Sequence, residues 1–335
     1  MKFASVQYSK NNIGDVIQIL AASRFLPRID AWCNRENLDA YQFPEPHKII
    51  LNGWYQHRTG HFFNDRGLLP LITSMHVAPS KADSFFTTKV LAFLKKNMPV
   101  GCRDTYTLNL MKSKGVDAYF SGCLTLTLEP NPRILKRDYV LCVDVPEAIA
   151  DKVRATTLRP IHMLNPMWHA HNTFTERLEH AKIYLKKMQQ AHCVVTRRLH
   201  CALPAVALGT PVVFIADLSY NTVRERCSDY LPFLSTFSEK EFLKTTPDFD
   251  SLVAKSTHAE IKSNLIRRCS DFTGFNNTES LIPDSTDDDD IFLLLKSMHQ
   301  TKNSNRALEW MSSKRLINLL SKKIFNGRRW WKIID

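Results

Sequence analysis

The segment Thr196-Arg197-Arg198-Leu199-His200 sets a hydroxyl, two guanidinium groups and an imidazole within five residues, directly after the apolar run Cys193-Val194-Val195. Guanidinium groups clamp carboxylates and phosphates through paired N–H donors, and an imidazole carries protons near neutral pH. No acidic residue occurs between Gln189 and Ala216, so the cations find no counter-charge nearby in sequence. Beside an apolar core, that pattern points to an anionic ligand, with a surface patch paired to distant acidic residues as the plainer alternative. Pro204 has no N–H and its ring opposes helix at residue 200, which predicts an irregular first turn where the polar groups converge.

Other clusters follow predicted strands, the places where ligands collect in open α/β sheets. Ser9 to Asp15 reads SKNNIGD. Gly14 permits close backbone approach, and Asn12 and Asp15 are candidate contacts for a hydroxylated ligand, although a simple helix cap explains them equally. Asn52-Gly53-Trp54-Tyr55 and Ser74-Met75-His76 supply Trp54 and His76 as candidates to meet a sugar, against an ordinary structural histidine. In Gly101-Cys102-Arg103-Asp104-Thr105, Arg103 can clamp an anion while Asp104 caps the helix that starts at Thr105; their mutual pairing is the alternative. Arg224, in Tyr220 to Arg224, follows a later strand and either touches a ligand or closes a loop.

The elements that position these residues alternate along the chain. Strand patterns at Phe3 to Tyr8, His47 to Leu51, Leu69 to Val77, Pro99 to Arg103 and Ala118 to Leu128 alternate with helix patterns at Ile13 to Phe25, Asp83 to Asn97 and Thr105 to Lys114. Glu129-Pro130-Asn131-Pro132-Arg133 then interrupts the alternation with two prolines, as a hinge would. The pattern restarts with strands at Tyr139 to Val145, Pro160 to Leu164, Cys193 to Thr196 and Pro211 to Ala216, and mostly helical sequence follows. The expected fold class is α/β, with two Rossmann-like domains, 1–130 and 131–300, facing a cleft.

The 335 residues are 44% hydrophobic and 23% charged, which excludes a disordered chain. Eight dispersed cysteines without a CxxC pair read as reduced core residues. Neither a signal peptide nor a spanning helix is recognisable, so a cytoplasmic protein is expected. The net charge of +12 suggests an anionic partner. More than half of that excess lies in the basic helical tail 301–335, which carries nine Lys/Arg against Glu309 and Asp335 and ends in Arg328-Arg329-Trp330-Trp331-Lys332. Such a tail suits a peripheral contact with the inner face of a membrane, or docking as a terminal helix. No nucleic-acid-binding signature is present, and the aspartate-rich stretch Pro283 to Asp290 reads as a solvated loop.

In order along the chain, NxGD near the N-terminus, GCRD before a helix, SGC after it and then VTRRLHCALPAVALGTPVV resemble the polysaccharide pyruvyl transferase family. The resemblance runs from about Ser9 to Ile215 and is most specific at the T-x-R-x-H…G-x-P stretch. It implies a fold similar to two-domain glycosyltransferases of the B type. It also implies phosphoenolpyruvate as donor, whose pyruvyl group becomes a cyclic ketal on two hydroxyls of a sugar acceptor, which a lipid could carry.

By the resemblance, Arg198 and His200 fall on the donor-binding arginine and histidine, with Leu199 between them, and Arg103 on the arginine of the RD element. Thr196 and Arg224 join the donor side, in 131–300. Asn12, Asp15, Trp54 and His76 join the acceptor side, in 1–130. Arg198 and His200 are the catalytic candidates, with His76 in reserve as proton carrier. Closure of the cleft would bring Arg103 and Arg198 together. Phosphate leaves from a carbon centre, so neither metal nor cofactor is expected.

Two other readings fit the same residues. One is a glycosyltransferase that takes a nucleotide sugar, since one architecture serves both reactions. The other is a non-enzymatic binder of an anionic glycan or lipid head group, which would need the arginines but no proton-carrying histidine.

Overall fold

Short runs of β-branched and apolar residues form the strands, and segments with one apolar face form the helices between them. In the computed structural model, residues 1–8, 12–166, 173–255 and 257–285 are described. The tail 301–335 with its expected membrane contact, the stretch 286–290 of the aspartate-rich loop and residues 9–11 of the SKNNIGD segment lie outside them.

The first unit runs β1 (Lys2–Gln7), α1 (Ile13–Ser23), β2 (Ala31–Asn34), β3 (His47–Trp54), β4 (Leu68–His76), α2 (Ala82–Phe85), α3 (Thr88–Lys96), β5 (Val100–Cys102), α4 (Thr105–Ser113) and β6 (Ala118–Phe120). Its strands form one parallel sheet in the order β2-β1-β3-β4-β5-β6. The second unit runs β7 (Val140–Val143), α5 (Glu147–Thr156), β8 (Ile161–Leu164), α6 (Phe174–Gln190), β9 (Cys193–Thr196), α7 (Leu199–Ala207), β10 (Val212–Ile215), α8 (Asn221–Cys227), β11 (Ser235–Phe237), α9 (Glu239–Lys244) and α10 (Ala259–Thr273). Its sheet is parallel too, in the order β11-β10-β9-β7-β8. The expected α/β class with two parallel sheets is present.

Both sheets reverse direction once, between β1 and β3 in the first and between β7 and β9 in the second. A crevice opens outside the carboxyl ends of the strands at such a reversal. Asn12 follows β1 and Trp54 ends β3, and Asp144 and Arg198 follow β7 and β9.

Four segments differ from the sequence expectation. β2 and β11 are short edge strands inside stretches that read as polar connector and helix, and an edge strand of three or four residues carries too little alternation to register. The run from Ala118 is strand only to Phe120, then turns at Gly122 (φ +70°) into a 3-10 segment, Leu124–Thr127. The helix expected over 83–97 is divided after Phe86, where the Thr87 side chain caps α3 by accepting from the Val90 amide.

One buried apolar cluster joins the two units, running from Ile13, Ile17 and Leu20 of α1 through Leu124 and Leu126 to Leu185 and Met188 of α6 and Leu203 of α7. Each such side chain, buried fully, contributes about 1.5–3 kcal/mol. Two further clusters flank it, around Ile49, Ile72 and Leu94 in the first unit and around Val140, Val195 and Phe242 in the second. α10 returns to the first unit, where Lys48 Nζ donates to Phe272 O at 2.5 Å and Lys262 Nζ pairs with Glu129 at 2.8 Å. All eight cysteines are free and buried, as a reduced core requires.

Candidate active site

β9 ends on Thr196, which is fully buried; its hydroxyl donates to Val143 O at 2.9 Å and accepts from the Arg198 amide at 3.0 Å. Those two bonds turn the chain into α7, with Arg198 at the N-cap. Pro204 sits inside α7 and offers no N–H to the His200 carbonyl, and His200 is the helix residue whose backbone departs from helical values (φ −83°, ψ 16°). The irregular first turn expected from Pro204 is therefore present.

The kink carries the His200 ring towards the first unit. Its Nε2 lies 3.1 Å from Arg103 Nη1, and Nδ1 lies 3.3 Å from the Gln18 side-chain amide. Gly14 makes the approach possible, because a Cβ at that position would stand 2.7 Å from His200 Cβ. Burial, reinforced by the charges of Arg103 and Arg226, holds the His200 pKa well below the ordinary histidine value. Both effects favour the neutral ring, whereas the sequence alone suggests an imidazole titrating near neutrality.

Arg103 is 1% exposed, yet its Nε and Nη2 have no hydrogen-bond partner. Its Nε lies 3.7 Å from Asp104 Oδ2, near enough for Coulomb attraction and too far for a hydrogen bond. The backbone around it is fixed: Arg103 N donates to Met75 O at 2.7 Å, and the Tyr230 hydroxyl donates to Arg103 O at 2.5 Å. Arg226, on α8, opens onto the same space, and no carboxylate among the described residues pairs with it. Its side chain is exposed to solvent at the border of the hollows. One buried guanidinium, Arg103, and one exposed guanidinium, Arg226, thus border the imidazole.

Two adjoining hollows meet here. A narrow one of about 30 Å³ is lined by Asn12, Gly14, Pro166, Arg198, His200 and Arg226. The larger, about 530 Å³, opens over the ends of β7, β9 and β10 and is lined by Asp144, Arg197, Arg198, Phe214, Asp217 and Arg226 among others. Arg198, Leu199 and Arg226 border both.

The basic turn is not without counter-charge. Arg198 Nε donates to Asp144 Oδ2 at 2.5 Å, and Arg197 reaches both oxygens of Asp144 at 3.3 Å. Asp144 follows β7, which pairs with β9, and its left-handed backbone (φ +52°) brings the carboxylate beside the turn. A search for acids within 189–216 cannot find a partner supplied by the neighbouring strand. This corrects the inference of unpaired cations at Arg197 and Arg198; the weakly compensated buried cation is Arg103.

The remaining candidates divide. Asn12 caps α1, accepting from the Gly14 amide at 3.1 Å, and borders the narrow hollow. Asp15 is buried in an ion pair with Arg35 at 2.8 Å and holds α1 in place. Trp54 bonds through its indole N–H to Gln56 Oε1 and packs edge-on against His57, with ring centroids 4.5 Å apart. His76 Nδ1 lies 2.6 Å from Asp104 Oδ2. Leu199 is 3% exposed and borders both hollows with its apolar side chain.

Arg224 bonds to Asn221 Oδ1 at 2.5 Å and lines neither hollow; Arg226 occupies the place expected of it. The helical spacing Val223, Arg226, Cys227 carried that signal, because residues three and four apart share a face of α8 and residues two apart do not. Gln18 and Asp144 had no signal of their own, since each acts through a contact distant in sequence.

Among solved structures, the chain is similar to a functionally uncharacterized protein of Klebsiella pneumoniae (16% identity, 70% of this chain and 93% of that one, TM-score 0.40). It is also similar to a UDP-N-acetylglucosamine 2-epimerase (12%, 85% and 100%, 0.44) and to the Methanocaldococcus jannaschii UDP-GlcNAc 2-epimerase in complex with UDP-GlcNAc and UDP (9%, 81% and 99%, 0.39). No curated protein matches it. The polysaccharide pyruvyl transferase family matches residues 12–219, a span that begins at the Asn12 cap and takes in Arg103, Arg198 and His200. The chain belongs to the polysaccharide pyruvyl transferase family, and its activity is that of a transferase.

Proposed function

We propose that this transferase moves the pyruvyl group of phosphoenolpyruvate onto two hydroxyls of a sugar in a polysaccharide or its precursor, forming a cyclic ketal and releasing phosphate. The observation that carries the reading is Arg103, buried, with two guanidinium nitrogens unpartnered among the described residues and in contact with His200, and Arg226 on the border of the same hollow as His200. The donor carries a carboxylate and a phosphate, and each is matched by one guanidinium. Arg198, held by Asp144 at the border of the two hollows, orients the donor from the second unit.

Ketal formation breaks the donor C2–C3 π bond, adds a proton to C3 and joins C2 to a sugar oxygen. A second sugar oxygen then displaces phosphate from C2. No bond in the sequence needs a metal or a cofactor. Burial is the larger cause of the low His200 proton affinity; an anion bound beside Arg103 and Arg226 offsets the part that their charges contribute, which favours protonation of the ring once the donor is bound. Protonated, it is the acid for C3. The hollow of about 530 Å³, over the strand ends of the second unit and lined by Arg198 and Arg226, gives the donor room.

The test is incubation with phosphoenolpyruvate and candidate lipid-linked or nucleotide-linked sugars, with phosphate release and mass analysis for the ketal as readouts. Transfer from a nucleotide sugar with phosphoenolpyruvate inert would overturn the assignment. A lipid-linked acceptor at the inner face of a membrane is part of the proposal and rests on the cations and tryptophans of 301–335. Truncation after Gln300 tests it: vesicle binding is lost and turnover of a soluble acceptor is kept. No helix among the described residues is long and apolar enough to cross a membrane.

A further inference from the structure

The transfer reaction needs a base as well as an acid, and His200 lies beside the two donor-binding cations. A second histidine stands at the end of β4. His76 Nδ1 lies 2.6 Å from Asp104 Oδ2, and that carboxylate is fully buried. The other oxygen of Asp104 accepts from the Thr107 amide at 2.8 Å, so α4 fixes the carboxylate that holds the ring. Burial alone would raise the Asp104 pKa, but the His76 bond, the charge of Arg103 and the Thr107 bond outweigh it and keep the group ionised. An ionised acceptor at Nδ1 demands the tautomer with its proton there. The lone pair is then on Nε2, which has no partner among the described residues and is not sealed from solvent.

The backbone that delivers the ring is special as well. Pairing between β3 and β4 shifts from Leu51↔Ile72 to Gly53↔Met75, which leaves one extra residue on β4. The bulge contains Ser74, a non-glycine residue at φ +51°, whose amide donates to Ser121 Oγ at 3.0 Å. A bulge re-aims the side chains beyond it, and strain of this kind persists where the surroundings enforce it. The residues beyond it are Met75, whose carbonyl holds Arg103, and His76. One array of polar contacts therefore runs from His76 through Asp104 and Arg103 to His200.

We propose that His76, oriented by Asp104, is the base that removes the proton from the attacking sugar hydroxyl, which places the acceptor over the ends of β4 and β5. This rests on the pyruvyl-transfer reading. The hydroxyl O–H breaks with its proton going to His76 Nε2, its oxygen bonds to C2, and the π pair takes a proton from His200 at C3. The C2–O bond to phosphate then breaks with its pair on oxygen, and His76 returns its proton to the departing phosphate. The second hydroxyl takes the vacated place on C2, giving its proton to His200 as its oxygen bonds to carbon.

The experiment compares wild type, His76→Gln and Asp104→Asn for phosphoenolpyruvate binding by calorimetry and for kcat as a function of pH on a panel of methyl hexopyranosides. Groups facing His76 are Asp104 and Thr107 of the α4 start, Arg103 of the β5 end, Arg226 of α8 and His200 of α7. His76→Gln is expected to bind the donor within about threefold of wild type and to lose roughly 10²–10⁴-fold in kcat. Asp104→Asn, which removes the charge that raises the His76 proton affinity, moves the acid limb of kcat to lower pH with kcat reduced. Turnover of His76→Gln within about twofold of wild type, or an unmoved limb in Asp104→Asn, overturns the dyad while pyruvyl transfer stands. A wild type that neither binds phosphoenolpyruvate nor forms a ketal overturns both.

Discussion

Arg103 Nη1 meets His200 Nε2 at 3.1 Å, although the residues stand 97 positions apart and follow strands of different sheets. A guanidinium offers only donors, so His200 receives this contact through a ring lone pair, which requires a neutral imidazole. The sequence sets Arg103 and Arg198 on opposite sides of a cleft whose closure would bring them together; across the same boundary Arg103 and His200 are in contact.

Replacing Arg103 by alanine removes the buried cation from the donor pocket. Steady-state phosphate release should fall roughly 10²–10³-fold, as for loss of one preorganised charge-stabilising group. Arg226→Ala should act mainly on KM for phosphoenolpyruvate, and Arg224→Ala, which turns towards Asn221, should change either constant by less than about twofold. Equal effects of Arg224→Ala and Arg226→Ala would contradict the helical phase of α8.

Pro204→Ala returns an N–H opposite the His200 carbonyl and lets the first turn of α7 become regular. Thermal stability should hold or rise, since proline is poorly tolerated inside helices by about 3 kcal/mol. Turnover should drop on the order of tenfold to hundredfold, because a small misplacement of a reacting group is costly. A crystal structure of the variant would show whether His200 leaves Arg103.

Gly14→Ala puts a methyl group 2.7 Å from His200 Cβ, so the two elements must part. Overpacking of this kind costs about 1–3 kcal/mol. The melting point should fall modestly while phosphoenolpyruvate affinity falls more, measured by calorimetry on the folded variant.

Acid should weaken the fold over a defined window. Burial, then the Arg103 charge, lowers the His76 pKa to about 4 from an ordinary 6.5, and His200 is displaced in the same direction. Between those values the unfolded chain binds protons that the folded chain refuses, so stability is complete above about pH 6.5 and declines as the pH falls towards 4. Denaturant midpoints across that range should show the slope, and His76→Gln should flatten it.

Much of the architecture was legible because strand and helix periods differ and two prolines mark the interval between the sheets. Strands such as Cys193–Thr196 lie where their apolar runs predict. Edge strands β2 and β11 escaped notice because three or four residues carry little periodic signal. At the site, Arg103, Arg198 and His200 were legible from residue type and position after strands. Asp144 was not, because sheet order and not sequence makes it the neighbour of Arg198. The His76–Asp104 bond was hidden for the same reason, each half being explicable alone as a strand-end histidine and a helix cap.

The buried apolar cluster that runs from α1 through α6 into α7 has a mechanical consequence. Swinging the two sheets apart would tear leucines and isoleucines out of shared packing, at a cost that grows with every side chain exposed. The molecule is thus built less like a clam than like a vice with its jaws already set. Selection among acceptors falls to the rim of the hollow rather than to the act of closing, and damage deep in the seam should weaken both halves together.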